Sequence, residues 1–209
     1  MTNLEAGARD VVIVLYPEVQ SLDFIGPLEV FDAAQTLIEK TGRKEPGYRI
    51  TVAGLDEAKP ILTSSGVQIV PATSLIDVPT PIDTLIIPGG AGSRGVSVDE
   101  ALLDWLRASA PSTRRVTSVC TGAFLLGRLG LLEGRRWTTH WEDVPDLAAR
   151  ISGTGEAWVR WVDEGHVVTA GGLSSGIAMA LHLVDRFAGR ELAVRTARQI
   201  EYDWDPESR

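Results

Sequence analysis

The chain has 209 residues, 44% hydrophobic and 23% charged, which is a globular composition long enough to bury one full core. A formal net charge of −8, with lysines and arginines scattered, argues against a nucleic-acid partner, which requires a basic footprint. A lone cysteine forms no internal disulfide and fits a cytoplasmic protein, while the polar N-terminus and the short apolar run after it read as neither leader nor membrane span.

VVIVLY (11–16) is a continuous β-branched run of the kind buried on both faces of a sheet. A polar turn follows, then a helix from about Pro27 to Lys40, with Leu28, Phe31, Leu37 and Ile38 apolar and Pro27 suited to the first turn. RITVAGL (49–55) reads as a second strand, and residues 68–70 as a short edge element after the TSSG turn. DTLIIPGG (83–90) is a third buried strand running into glycines. DEALLDWLRASA (99–110) is a helix with Asp99 and Glu100 well placed in its first turn. RRVTSV (114–119) is a strand and TGAFLLGRLGLL (121–132) a buried helix. Residues 159–161 and 166–172 are strands, and 174–188 and 191–201 are helices. Successive strand-then-helix units predict a doubly wound α/β domain, its sheet mostly parallel and covered on both faces. That domain is expected to be single over 1–209, with flexible ends at 1–9 and 203–209.

Sites in such sheets form at the carboxyl ends of the strands, and three ends carry chemistry: Asp23, Gly89-Gly90 and Cys120. Cys120 lies between a β-branched strand and a helix opening with Thr121-Gly122, the setting of a nucleophile elbow. There the helix N-terminus would lower the thiol pKa, and Gly122 would relieve the tight turn. A buried structural cysteine is the competing reading. Backbone N–H groups of Gly89 or Gly90 offer an oxyanion hole opposite Cys120, or the PGGAG run is a structural turn; no nucleotide-binding pattern accompanies it. Asp23 is either a general acid/base beside the thiol or the N-cap of the helix starting near Gly26. Glu29, inside that helix, reads as a surface residue. His140, flanked by tryptophans, is placed to line a pocket, whereas His166 falls in a turn and His182 in mid-helix. No histidine pair has metal-ligand spacing and one cysteine makes no thiolate zinc site, so no metal is expected.

The segments LYPEVQSLDFIGPLEVF, TSSG, IIPGGAG, SVCTGAFLLGRLGLLEGRRWTTHW and VVTAGGLSSGIAMAL, in that order, resemble the ThiJ/PfpI superfamily over about 11–202. Within it the likeness is greatest to the isocyanide hydratase branch. The resemblance implies a flavodoxin-like fold, a homodimer and no cofactor, with Cys120 as nucleophile in a strained turn and Asp23 as the acid beside it. Aspartate at that position is the hydratase pattern, whereas deglycase and glyoxalase-type relatives carry glutamate. Protease-like members carry histidine where this chain has Thr121, which weakens a peptidase reading. TTHW with AGGLSSGI is equally typical of amidase-like domains in AraC-type regulators, whose C-terminal helix-turn-helix domain finds no room before Arg209.

The function so implied is hydration of an isocyanide to an N-formamide through a thioimidate on Cys120. Asp23 would relay the proton, Thr121 and the Gly90 backbone would orient the intermediate, and Ile25, His140, Trp141 and Leu173 would wall a pocket for a small-molecule substrate. Other cysteine-dependent activities of the superfamily, redox sensing at Cys120 and a ligand-binding role are the alternatives.

Overall fold

The structure, a computed structural model, describes residues 7–43, 45–94 and 98–207. In chain order its elements are β1 (Arg9–Val14), α1 (Ser21–Thr41), β2 (Tyr48–Gly54), β3 (Ile61–Leu62), β4 (Gln68–Ile69), β5 (Thr73–Ser74) and β6 (Thr84–Ile87). Then come α2 (Glu100–Ser109), β7 (Arg115–Val119), α3 (Ala123–Arg128), β8 (Arg136–Trp137), α4 (Val144–Ala148) and β9 (Thr154–Gly155). β10 (Trp161–Asp163), β11 (Val167–Ala170), α5 (Ser175–Ala188) and α6 (Arg190–Gln199) complete the fold.

Seven strands form one sheet in the order β10-β11-β7-β6-β1-β2-β5. All pairings are parallel except β10 with β11. The β-branched runs are explained by this arrangement: Val11–Val14, Thr84–Ile87 and Val116–Val119 are buried on both faces. The helices lie around the sheet, α1, α5 and α6 packing on one another and α3 on β7. The chain winds outward from β1 through β2 to β5, then returns to place β6 on the other side of β1. This reversal is where an open α/β sheet leaves a crevice at its carboxyl edge. Among the described residues no helix is long and apolar enough to cross a membrane.

Three expectations are corrected. The helix expected from Pro27 begins at Ser21, so Asp23 lies in its first turn and Gln20 is the N-cap. Pro27 is tolerated inside α1 at the loss of the one helical bond its missing N–H would have made to the Asp23 carbonyl. The helix expected over 121–132 is only α3, preceded by a 3-10 turn over Cys120–Gly122. Residues 68–70 do not edge the main sheet, because β4 pairs with β3 in a separate hairpin and β5 is the edge. Arg9 belongs to β1, and Trp204 packs on the core under the Arg190 guanidinium. Residues 1–6 and 208–209 lie outside the described residues.

Candidate active site

Cys120 leaves β7 at φ +53°, a left-handed conformation that costs a non-glycine residue about 1–2 kcal/mol. The strain is held by its surroundings. The Cys120 N–H donates to the Gly171 carbonyl at 2.9 Å, and the Thr139 hydroxyl donates to the Cys120 carbonyl at 2.7 Å. Gly122 itself has an ordinary helical φ of −56°. It is needed for another reason: a Cβ there would sit 2.2 Å from the Ile87 carbonyl oxygen, so the elbow can lie against β6 only without one.

Asp23 projects from the first turn of α1 and is fully buried. One carboxylate oxygen, Oδ2, accepts the Gly89 N–H at 2.9 Å. The other, Oδ1, has no hydrogen-bond partner among the described residues. Burial pushes the Asp23 carboxyl up to about 7, opposed by the Gly89 N–H and by the Cys120 side chain. The thiol is pushed up to about 12, first by burial and then by the Asp23 carboxylate, against the backbone N–H groups of Thr121 and Leu173. The expectation of a lowered thiol pKa is thereby corrected. The helix-terminal donors are present, but desolvation and a facing carboxylate outweigh them. Two raised groups in contact behave as a pair: near neutrality they hold one proton firmly and bind or release a second close to pH 7.

The proposed oxyanion donors need a second correction. The Gly89 N–H is taken by Asp23, and the Gly90 N–H donates to Thr121 Oγ1 at 2.9 Å. Neither is free to face a ligand on Cys120. The donors that do reach the sulfur are the N–H groups of Thr121 and Leu173. Gly89 serves by being small, since a Cβ would meet Thr121 N and Oγ1, both at 2.6 Å, and Asp23 Oδ2 at 2.9 Å. The Thr121 hydroxyl also receives the Ser93 hydroxyl at 2.8 Å and donates to the Gly90 carbonyl at 3.2 Å. Thr121 therefore contributes its backbone to the sulfur and ties β6's loop to the elbow with its side chain.

Three residues beside this constellation escaped the sequence reading. Tyr16, just past β1, donates its hydroxyl to the Pro88 carbonyl; burial and the Asp23 charge hold that phenol well above its ordinary pKa. Ser93 and Thr139 are buried and bridge neighbouring loops. Tyr16 follows a strand directly, so its place at the carboxyl edge was the available signal.

A cavity of about 410 Å³ opens beside the elbow, lined among others by Thr139, His140, Trp141, Trp158, Gly171 and Leu173. His140, Trp141 and Leu173 thus meet in one place. Ile25 does not join them, lying on α1 with its side chain partly exposed. Cys120 is not itself a lining residue, but Thr139, Gly171 and Leu173, which bond it, all are. Trp141 and Trp158 stack with ring centroids 4.4 Å apart. Leu173 and Trp158 both hold left-handed backbone, at φ +42° and +64°. No group of three or more histidine, cysteine or acidic side chains suited to a metal ion occurs among the described residues.

This chain is similar to several known proteins. The DJ-1/PfpI family profile matches residues 9–186. An isonitrile hydratase from Pseudomonas putida is 36% identical over 195 residues, 93% of this chain and 79% of that protein. A crystal structure of a THiJ/PfpI family protein from Pseudomonas syringae superposes with a TM-score of 0.78 at 25% identity, covering 96% of this chain and 78% of that one. The HTH-type transcriptional regulator GbdR of Pseudomonas aeruginosa is 30% identical over 75% of this chain, which spans only 42% of that protein.

Proposed function

The chain belongs to the DJ-1/PfpI family, and on that footing we propose that it is an isocyanide hydratase using Cys120 as nucleophile and Asp23 as proton relay. The observation that carries the reading is the buried pair of Cys120 and Asp23, set side by side at the carboxyl edge of the sheet.

The sulfur adds to the terminal carbon of the isocyanide, forming a C–S bond, while the thiol proton passes through Asp23 to that same carbon. The product is a thioimidate on Cys120. Water then adds to the thioimidate carbon with Asp23 accepting one of its protons, and the nitrogen gains the other. Collapse of the tetrahedral adduct breaks the C–S bond and releases the N-formamide, and Asp23 returns its proton to the sulfur. Oxygen and both hydrogens of water are accounted for, and no electrons change hands. The Thr121 and Leu173 N–H groups stabilise the sulfur whenever it carries charge.

The homology to the hydratase favours this reading over the regulatory one, at 36% against 30% identity and over 93% against 75% of this chain. A homodimer completes the proposal. Leu22 and Ile25 on α1 and Leu62 and Val67 on the β3–β4 hairpin are exposed apolar side chains near one another, for the hairpin is bonded to the residues preceding α1.

The direct test is formamide formation from a simple alkyl isocyanide. Cys120→Ala is expected to abolish it in a folded protein, and retained turnover contradicts the cysteine mechanism.

A further inference from the structure

We propose that the cleft selects isocyanides bearing a carboxylate on a planar apolar body, with Arg160 taking the carboxylate and the Trp141–Trp158 pair taking the body. This rests on the hydratase reading for the reactive group alone; the anion and the planar body are argued from the cleft.

Among the described residues lining the cleft, Arg160 is the one formally charged side chain. Its side-chain hydrogen bond goes to the Tyr202 hydroxyl at 2.9 Å, and no carboxylate of the described residues pairs with it. A guanidinium has five N–H donors in a fork that matches a carboxylate, and the one side-chain bond to Tyr202 leaves most of that capacity for a ligand in the cleft that Arg160 lines. Glu142 and Asp143, acidic residues beside this wall in the chain, lie 3.8 and 3.7 Å from His140 Nδ1, and Asp143 is also held by Arg94. On a chain of net charge −8, which repels anions over most of its surface, a local cation at this mouth acts as a selective attraction.

The spacing fits one ring between two functional ends. The Cys120 N–H donates to the Gly171 carbonyl at 2.9 Å, and the Gly171 N–H donates to the Arg160 carbonyl at 3.0 Å. Cys120 and Arg160 therefore stand two strand spacings apart, roughly 10 Å between backbones. The lining of the cleft is partly aromatic. Trp158 is 75% exposed, keeps a left-handed backbone and stacks on Trp141, so strain is spent on holding an indole at the cleft and not in the core.

The test compares 4-(isocyanomethyl)benzoate with its neutral primary amide. For the wild type the acid is expected to show a KM about 10-fold lower, the discrimination of one charge-assisted pair, and added salt should erode the difference. Arg160→Met should remove the preference, bringing the acid's KM to that of the amide, and Arg160→Lys should keep part of it. Equal KM values for acid and amide in the wild type, or a loss in Arg160→Met that is the same for both, overturns the inference and leaves the hydratase reading standing. If neither isocyanide is turned over, the hydratase reading fails on its own. Calorimetric binding of 4-(formamidomethyl)benzoate to the Cys120→Ala protein then decides the anion site: Arg160-dependent binding upholds it, and absence of binding rejects it.

Discussion

Asp23 illustrates how burial converts an ordinary carboxyl into a relay at the cost of stability. Its pKa rises from 3.8 to about 7 in the folded protein. Between about pH 4 and pH 7 the folded state keeps a proton that the unfolded chain has released, so stability falls as pH rises through that window. Above pH 7 the buried carboxylate costs on the order of 4 kcal/mol. Asp23→Asn should therefore be stabilised relative to wild type, by a margin that grows from pH 4 to pH 7 and then levels off. Urea denaturation at pH 5 and pH 8 measures it, and a pH-independent margin speaks against the raised carboxyl. The same variant should lose about 100-fold or more in formamide formation. In the wild type, kcat/KM should rise with pH through about 7, because Asp23 must be ionised to accept the thiol proton, and this limb should be absent in Asp23→Asn. Cys120 and Asp23 were legible in the sequence because each follows a strand at the carboxyl edge. The donors were not. Whether a Gly89 or Gly90 N–H is free depends on where the Asp23 and Thr121 side chains land, which is a tertiary fact.

At the level of elements, the site is built by a close approach between the elbow after β7 and the end of β6. Gly122→Ala forces a Cβ against the Ile87 carbonyl, a backbone atom with no room to give. It should destabilise the protein by about 3 kcal/mol or more, within the range of severe packing clashes. Gly127→Ala, in α3, meets only the side chains of Ile151 and Leu147 at 3.3 Å and should change stability by less than about 1 kcal/mol, helped by helix propensity. Thermal melts of the two variants compare them, and equal effects contradict the close-approach account. Strand positions were readable from β-branched runs, whereas the start of α1 was not. A proline signals a first turn by local chemistry, yet α1 starts six residues further back, where Phe24 packs into the core. The short α3 was overread for a similar reason: 121–132 is mostly apolar, but turns at Gly130 and Gly134 divide its end from a helix.

For the molecule as a whole, the doubly wound arrangement followed from the strand–helix alternation, and the reversal of strand order beside β1 explains why three separate loops meet at Cys120. The antiparallel edge β10 and the β3–β4 hairpin were outside that logic, since they depend on short elements with little periodicity of their own. If a second copy covers the apolar side chains around α1 and the hairpin, sedimentation velocity should give a dimer for the wild type and a monomer for Leu22→Glu combined with Ile25→Glu; a wild-type monomer rules the dimer out. The central claim, a covalent adduct between Cys120 and an isocyanide on the way to a formamide, is tested most directly by rapid-quench intact-mass analysis. The account predicts a transient species heavier than the protein by the mass of one isocyanide, located on the Cys120 peptide and decaying as formamide appears. Formamide produced with no such adduct, or an adduct on any other residue, would contradict it.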